Sequence, residues 1–181
     1  MTSHVDVQNE TPYTLDDDAV RHLVLAVLAL EAAEGEIAVA FLSEAEIAEL
    51  NGRYRGFAEP TDVLSFPGGD DDEWPEWPLE DAGRSETARG DAAAGEDVSL
   101  PDEQSGPPPF LGDIAVCPAV AARYAAAEGH PAAVELGRLL VHGVLHLLGW
   151  DHESDQGEMR LREEAVVAEV DGLFDALTAG D

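Results

Sequence analysis

The stretch VHGVLHLLGWDH, Val141 to His152, holds three of the chain's six histidines, at 142, 146 and 152, with a glycine at 149. Neutral imidazole is a common ligand for zinc-like ions. On a helix, His142 and His146 lie four residues apart on one face, one turn above the other, so a single ion can reach both. His152 is ten residues from His142, roughly 15 Å along a continued helix axis, whereas nitrogens sharing one zinc each lie about 2.0–2.1 Å from it. The helix must therefore stop. Gly149 is where it can, because glycine adopts the left-handed conformation that ends helices and reverses the chain. The pattern predicts a site for one Zn2+ ion held by His142, His146 and His152, with a fourth position open.

An open fourth position separates a catalytic zinc from a structural one, which closes with four protein ligands. Zinc in such a site lowers the pKa of water to about 7 and polarises a carbonyl or phosphoryl oxygen. The spacing equals that of the metzincin proteases, H-E-x-x-H-x-x-G-x-x-H, but the second position here is Gly143. The missing glutamate is the general base of peptide hydrolysis, so the pattern argues against a protease.

The elements that must carry this site alternate along the chain. SHVDVQN reads as a short strand, and DDDAVRHLVLAVLALEAAEGE as a helix with an acidic start that ends at Gly35. IAVAFL is a buried strand. Ser43 with Glu46 forms a capping box that opens the helix EAEIAELNGRYR. DVLSF and DIAVC are two more strands. After Cys117 the pattern is helical to the end, broken around Gly129-His130-Pro131 and between Gly149 and Asp155, where Asp155 and Glu158 would cap the last helix. These elements predict an α+β fold, a small mixed β-sheet packed against helices, with a zincin-like metal-bearing helix.

Length supports one domain spanning 1–181. Within it, 68–109 changes character to GGDDDEWPEWPLEDAGRSETARGDAAAGEDVSLPDEQSGPP and beyond, with thirteen acidic residues against Arg84 and Arg89. Such composition buries too little surface to order itself, so it reads as a mostly disordered insertion, whose Trp74 and Trp77 could dock on the domain though a partly solvated loop is favoured. The whole chain is acidic, with 39 Asp+Glu, nine arginines and no lysine, net charge −30. A salt-adapted, halophilic protein fits this balance, since added salt shortens the reach of self-repulsion; a GC-rich coding bias fits it too. One cysteine, Cys117, excludes an intrachain disulfide, and neither a signal-peptide pattern nor a membrane-length apolar run is present. A cytoplasmic location is expected.

HGVLHLLGWDH resembles the H-G-x-L-H-L-x-G-Y-D-H signature of the YbeY family of bacterial metal-dependent endoribonucleases and rRNA maturation factors. ELNGRYRGFAEPTDVLSFP from Glu49 resembles the family's L-N-x-x-Y-R-x-x-x-x-P-T-[DN]-V-L-S-F-P, and LGDIAVC from Leu111 its L-G-D-I-x-I-C. All three come in family order between about Val39 and Glu164. Trp150 replaces the usual tyrosine, and the acidic insertion departs from the family pattern. The resemblance implies a zinc-dependent, single-strand-specific endoribonuclease in 16S rRNA 3′-end maturation and ribosome quality control. Its implied partners are rRNA, the small ribosomal subunit and its assembly factors, with no DNA and no membrane. It also implies Arg55 as the functional arginine beside catalytic His142 and His146; the residues alone rank Arg55 little above Arg53. Two attackers on phosphorus fit equally, water and the RNA 2′-hydroxyl.

Two other classes remain open at this point: a ribosome-assembly binding factor with a structural zinc, and a metal-dependent peptidase or other hydrolase. Asp151 is a candidate outer partner for a ligand histidine, while Asp113 and Cys117 read as structural. His4, His22 and His130 have no evident partner set. Thr61 and Ser65 could line the groove, and Tyr54, Phe66 or Trp150 could stack on bases of single-stranded RNA. Nucleic acid is an awkward substrate for so acidic a chain, so weak cleavage of free RNA is expected.

Overall fold

The computed structural model describes residues 3–68, 108–152 and 155–178. Most of the predicted insertion at 68–109, including Trp74 and Trp77, lies outside the described residues. In chain order the elements are β1 (His4–Asn9), α1 (Asp17–Leu30), β2 (Glu36–Phe41), α2 (Glu44–Arg55), β3 (Val63–Pro67), β4 (Phe110–Val116), α3 (Pro118–Glu128), α4 (Ala132–Leu147) and α5 (Glu158–Val170). A 3-10 segment, Asp171–Leu177, follows α5. The fold is α+β, with a small mixed sheet, as the alternation of patterns predicts.

The sheet runs β1-β2-β4-β3, parallel except for β3, which pairs antiparallel with β4. Register lines up Val7 with Val39, Val39 with Ile114, and Ile114 with Ser65. Paired residues share a sheet face, and Val7, Val39 and Ile114 belong to the main core with residues of α1 and α4. Those two helices therefore cover this face. Helix α1 supplies Val20, Leu23, Val24, Val27 and Leu28, all buried and spaced as one helical stripe.

Helix ends follow local chemistry, with two departures from the sequence reading. Asp16 caps α1, its carboxylate accepting from the Ala19 N–H at 2.9 Å. The helix stops at Leu30, not Gly35, and the chain turns with Ala32 at φ +50°. Gly35 serves a close approach instead, since a Cβ there would lie 2.6 Å from the Pro109 carbonyl. The predicted box on α2 is present, with Ser43 and Glu46 bonding reciprocally. The N-cap of α5 is Gly157, not Asp155; from two residues before it, the Asp155 carboxylate accepts from Gly157 N–H at 2.8 Å and Met159 N–H at 2.6 Å. Glu158 does not complete a box; its carboxylate takes the Gln156 N–H at 2.6 Å.

Helix α4 is the central one. Leu136, Leu139, Leu140, Val141, Val144 and Leu145 are buried, at spacings that cover more than one face. It contacts α1, α3, α5, β3, β4 and the 3-10 segment. A helix clamped from so many sides holds the histidines it carries on a rigid support.

Candidate metal centre

The reversal after α4 is a Schellman motif. With Leu148 as the cap, the Gly149 N–H reaches the His146 carbonyl at 3.0 Å and the Trp150 N–H reaches the Leu145 carbonyl at 3.1 Å. Gly149 stands at φ +92°, where side chains other than glycine are strained. Trp150 packs against the core, filling the apolar position that commonly follows such a cap. Its ring is half-buried and also lines the cleft at the turn.

This turn brings the three imidazoles together. Ring centroids lie 4.5 Å apart for His142 and His146, 5.5 Å for His142 and His152, and 5.0 Å for His146 and His152. One ligand atom from each lies within 4.8 Å of the others. The Nε2 atoms of His142 and His146 are 3.0 Å apart, close to the roughly 3.3 Å that two nitrogens on a tetrahedral zinc require. His152 sits on the turn with 53% of its side chain exposed, so rotation about its side-chain bonds can bring its nitrogen in. The set fits one cation.

Electrostatics agree with that fit. Burial, followed by the neighbouring rings of His142 and His152, holds His146 below the usual histidine range, while a backbone hydrogen bond with Trp150 opposes the shift. A lowered value favours the neutral ring that a metal ligand must present. The other nitrogen of His142, Nδ1, lies 3.1 Å from Glu163 Oε2 on α5. Sequence reasoning missed Glu163 and looked to Asp151. The Asp151 carboxylate is 3.9 Å from His152 Nδ1, too far for a hydrogen bond. The signal available in sequence was a glutamate one turn beyond buried Met159, on the face of α5 that packs inward.

Two clefts, of about 320 and 310 Å³, flank the returning segment. The first is lined by Trp150, Asp151, Asp155 and Glu158 among others, the second by His152, Arg160 and Glu163 among others. Arg55 lines neither. It is the exposed last residue of α2, and no ion pair engages it among the described residues. Its neighbour Tyr54 makes an edge contact with Phe66 of β3 at 5.2 Å. Asp113 is buried and opposite Phe66 in register, one residue from Ile114. Strand alternation therefore turns it away from α4 and its histidines. Ser65, opposite Ile114, is on the α4 side, and Thr61 is half-buried just before β3.

The remaining histidines lie elsewhere. His4 and His22 are exposed. His130, contrary to expectation, has a partner set, with Nε2 at 3.3 Å from Glu128 and 3.2 Å from Glu135 where α3 passes to α4. Burial pushes the Glu135 carboxyl up, against the pull of His130. Cys117 is fully buried, and burial raises its thiol pKa.

Comparison with known proteins agrees with the geometry. A family model described as endoribonuclease YbeY matches residues 5–171. An endoribonuclease YbeY of Salinispora tropica is 38% identical over 162 residues, which cover 87% of this chain and 88% of the relative. Its counterpart in Roseiflexus sp. is 36% identical over 170 residues, 90% of each chain. The solution structure of TM1509 from Thermotoga maritima superposes with a TM-score of 0.56 at 25% identity, covering 95% of this chain and 92% of that one.

Proposed function

This chain belongs to the endoribonuclease YbeY family and is a hydrolytic endoribonuclease, and on that premise we propose that it is zinc-dependent and single-strand-specific. We read its task as 16S rRNA 3′-end maturation and ribosome quality control, in the cytoplasm, with rRNA, the small ribosomal subunit and assembly factors as partners. The reading takes the chain as one domain whose acidic insertion interrupts the sheet between β3 and β4.

The observation that carries the reading is the convergence of His142, His146 and His152 on one point. A zinc ion held there would supply Lewis-acid polarisation of a phosphoryl oxygen and acidify water. The chain's own part is to offer three neutral nitrogens from a clamped helix and a fixed turn. Arg55 supplies a permanent positive charge with paired donors for a phosphate. Tyr54 and Phe66, in edge contact with each other, with Phe66 in register with Asp113 on the sheet face away from α4, offer rings on which bases further along a single strand can stack.

The alternatives fare worse on specific grounds. A structural zinc needs a fourth protein ligand, and the histidine cluster contains three candidates among the described residues. A peptidase of the metzincin kind needs a glutamate where Gly143 stands. The test is to map 16S rRNA 3′ ends in cells lacking the gene, complemented with the wild type or His146→Ala. Restoration by the wild type alone is expected, and equal restoration by both would refute a catalytic centre here.

A further inference from the structure

We propose that Glu163 is the positioning residue of this centre: by accepting the Nδ1–H of His142 it fixes the tautomer and angle of that ring and leaves Nε2 as its only metal-facing atom. The proposal rests on reading the three histidines as metal ligands. An imidazole carries its two nitrogens on opposite edges, and in the neutral ring one holds the proton while the other holds a lone pair. With Oε2 of Glu163 at 3.1 Å from Nδ1, the proton belongs on that side. The lone pair then lies on Nε2, which faces His146 Nε2 at 3.0 Å. The same geometry engages Glu163 at Nδ1, the nitrogen opposite the one that faces His146, so its carboxylate serves the ring and not the ion. The centre stays open.

The chain is built to deliver this carboxylate. Asp155 anchors the start of α5 through the N–H groups of Gly157 and Met159, three residues after His152. Met159 is buried in the core, and Glu163 is one helical turn further on the same face. Its side chain is 26% exposed and that of His142 is 24% exposed, so the contact is shielded enough to hold a fixed geometry. One short segment thus places both the third imidazole and the group that orients the first.

A mere packing contact between α4 and α5 would affect stability and leave metal affinity alone, so the two readings separate by measurement. Zinc dissociation constants are measured by competition with a chromophoric chelator for wild type, Glu163→Ala and Glu163→Gln, alongside urea unfolding of each metal-free protein. Outer-sphere partners of this kind are worth about 10- to 100-fold in metal affinity. Glu163→Ala should bind one zinc that much more weakly while its metal-free unfolding midpoint stays near wild type. Glu163→Gln should fall between, since its amide oxygen still accepts the N–H but lacks the charge. Wild-type affinity in either folded variant overturns the proposal, and Glu163→Gln decides it if the alanine variant does not fold. A wild-type protein that takes up no zinc sinks the three-histidine reading and this proposal with it.

Discussion

Gly143 of α4 lies against Ile114 of β4 so closely that a Cβ at 143 would come within 2.9 Å of Ile114 Cγ2 and 3.0 Å of Cδ1. The position that distinguishes this site from a metzincin protease is therefore also a packing position. Helix and central strand approach there because position 143 carries no side chain, and the fully buried Ile114 side chain fills the space it leaves. Gly143→Glu should lower stability by about 1–3 kcal/mol, the usual cost of overpacking, and should gain no peptide hydrolysis. Urea unfolding and a fluorogenic peptide assay check both halves. A stable variant that cleaves peptide would show the glycine to be a functional choice alone.

Gly149 tests the reversal. A Cβ there meets nothing within 4 Å, yet φ is +92°, so alanine would suffer backbone strain without a clash. Gly149→Ala should cost the metal-free protein about 1–2 kcal/mol. It should also weaken zinc binding, because the turn that holds His152 relaxes. Zinc at 100 times its dissociation constant stabilises a one-site protein by about 2.7 kcal/mol; at a concentration chosen to meet that ratio in the wild type, the variant should gain less. Equal zinc-induced shifts in the unfolding midpoint would mean that His152 reaches the site without this turn.

How much of this could be read in the sequence depended on whether the constraint was local. The capping box at Ser43, the stripe of α1 and the helix stop at Gly149 each follow from a few neighbouring residues, and all are present. The end of α1 was misplaced by five residues because Gly35 answers to Pro109 and Leu111, distant in sequence. Glu163 was missed for the same reason, since its partner is 21 residues away on another helix. Asp151 looked better only because it is adjacent to a ligand. His130 gained two partners once α3 and α4 folded back at Pro131. Pairings between elements are set by packing geometry, which spacing along one element does not encode.

Cys117 should be chemically silent in the folded protein. It is fully buried and its thiol pKa is raised, whereas an unfolded thiol ionises near about 8.5. The native fold thus keeps a proton that the unfolded chain releases, so this group's contribution to stability is complete below that pH and declines as pH rises above it. Iodoacetamide at pH 8.5 should label the native protein far more slowly than the urea-unfolded one, as read by intact mass. Comparable rates would mean that the helix α3 entry opens readily.

Arg55 carries the positive charge that the proposed reaction needs, yet it is exposed at the end of α2 and lines neither cleft. Its removal should therefore spare the fold and the zinc. Arg55→Ala should keep wild-type unfolding and one bound zinc but lose about 100-fold or more in RNA cleavage, the scale seen when one preorganised charge-stabilising donor is deleted. Full activity with zinc in place removes Arg55 from the mechanism and leaves Arg160, which lines the cleft beside His152, as the next cation to test.

The charge of −30 sets this nuclease against its substrate. Proteins that hold nucleic acid through cations lose affinity as salt rises, because releasing the nucleic acid's counterions gains less free energy in a more concentrated salt solution. Here long-range repulsion comes first, and Asp151, Asp155 and Glu158 line a cleft at the turn bearing His152. Added KCl shortens the screening distance from about 10 Å at 0.1 M to about 3 Å at 1 M, which mutes repulsion while leaving base stacking in place. Cleavage of a naked single-stranded oligonucleotide should be weak at low salt and rise with KCl, and the urea midpoint should rise with it. Fast cleavage of the naked strand at about 50 mM salt, falling as KCl is added, would show that local cations govern binding despite the acidic surface.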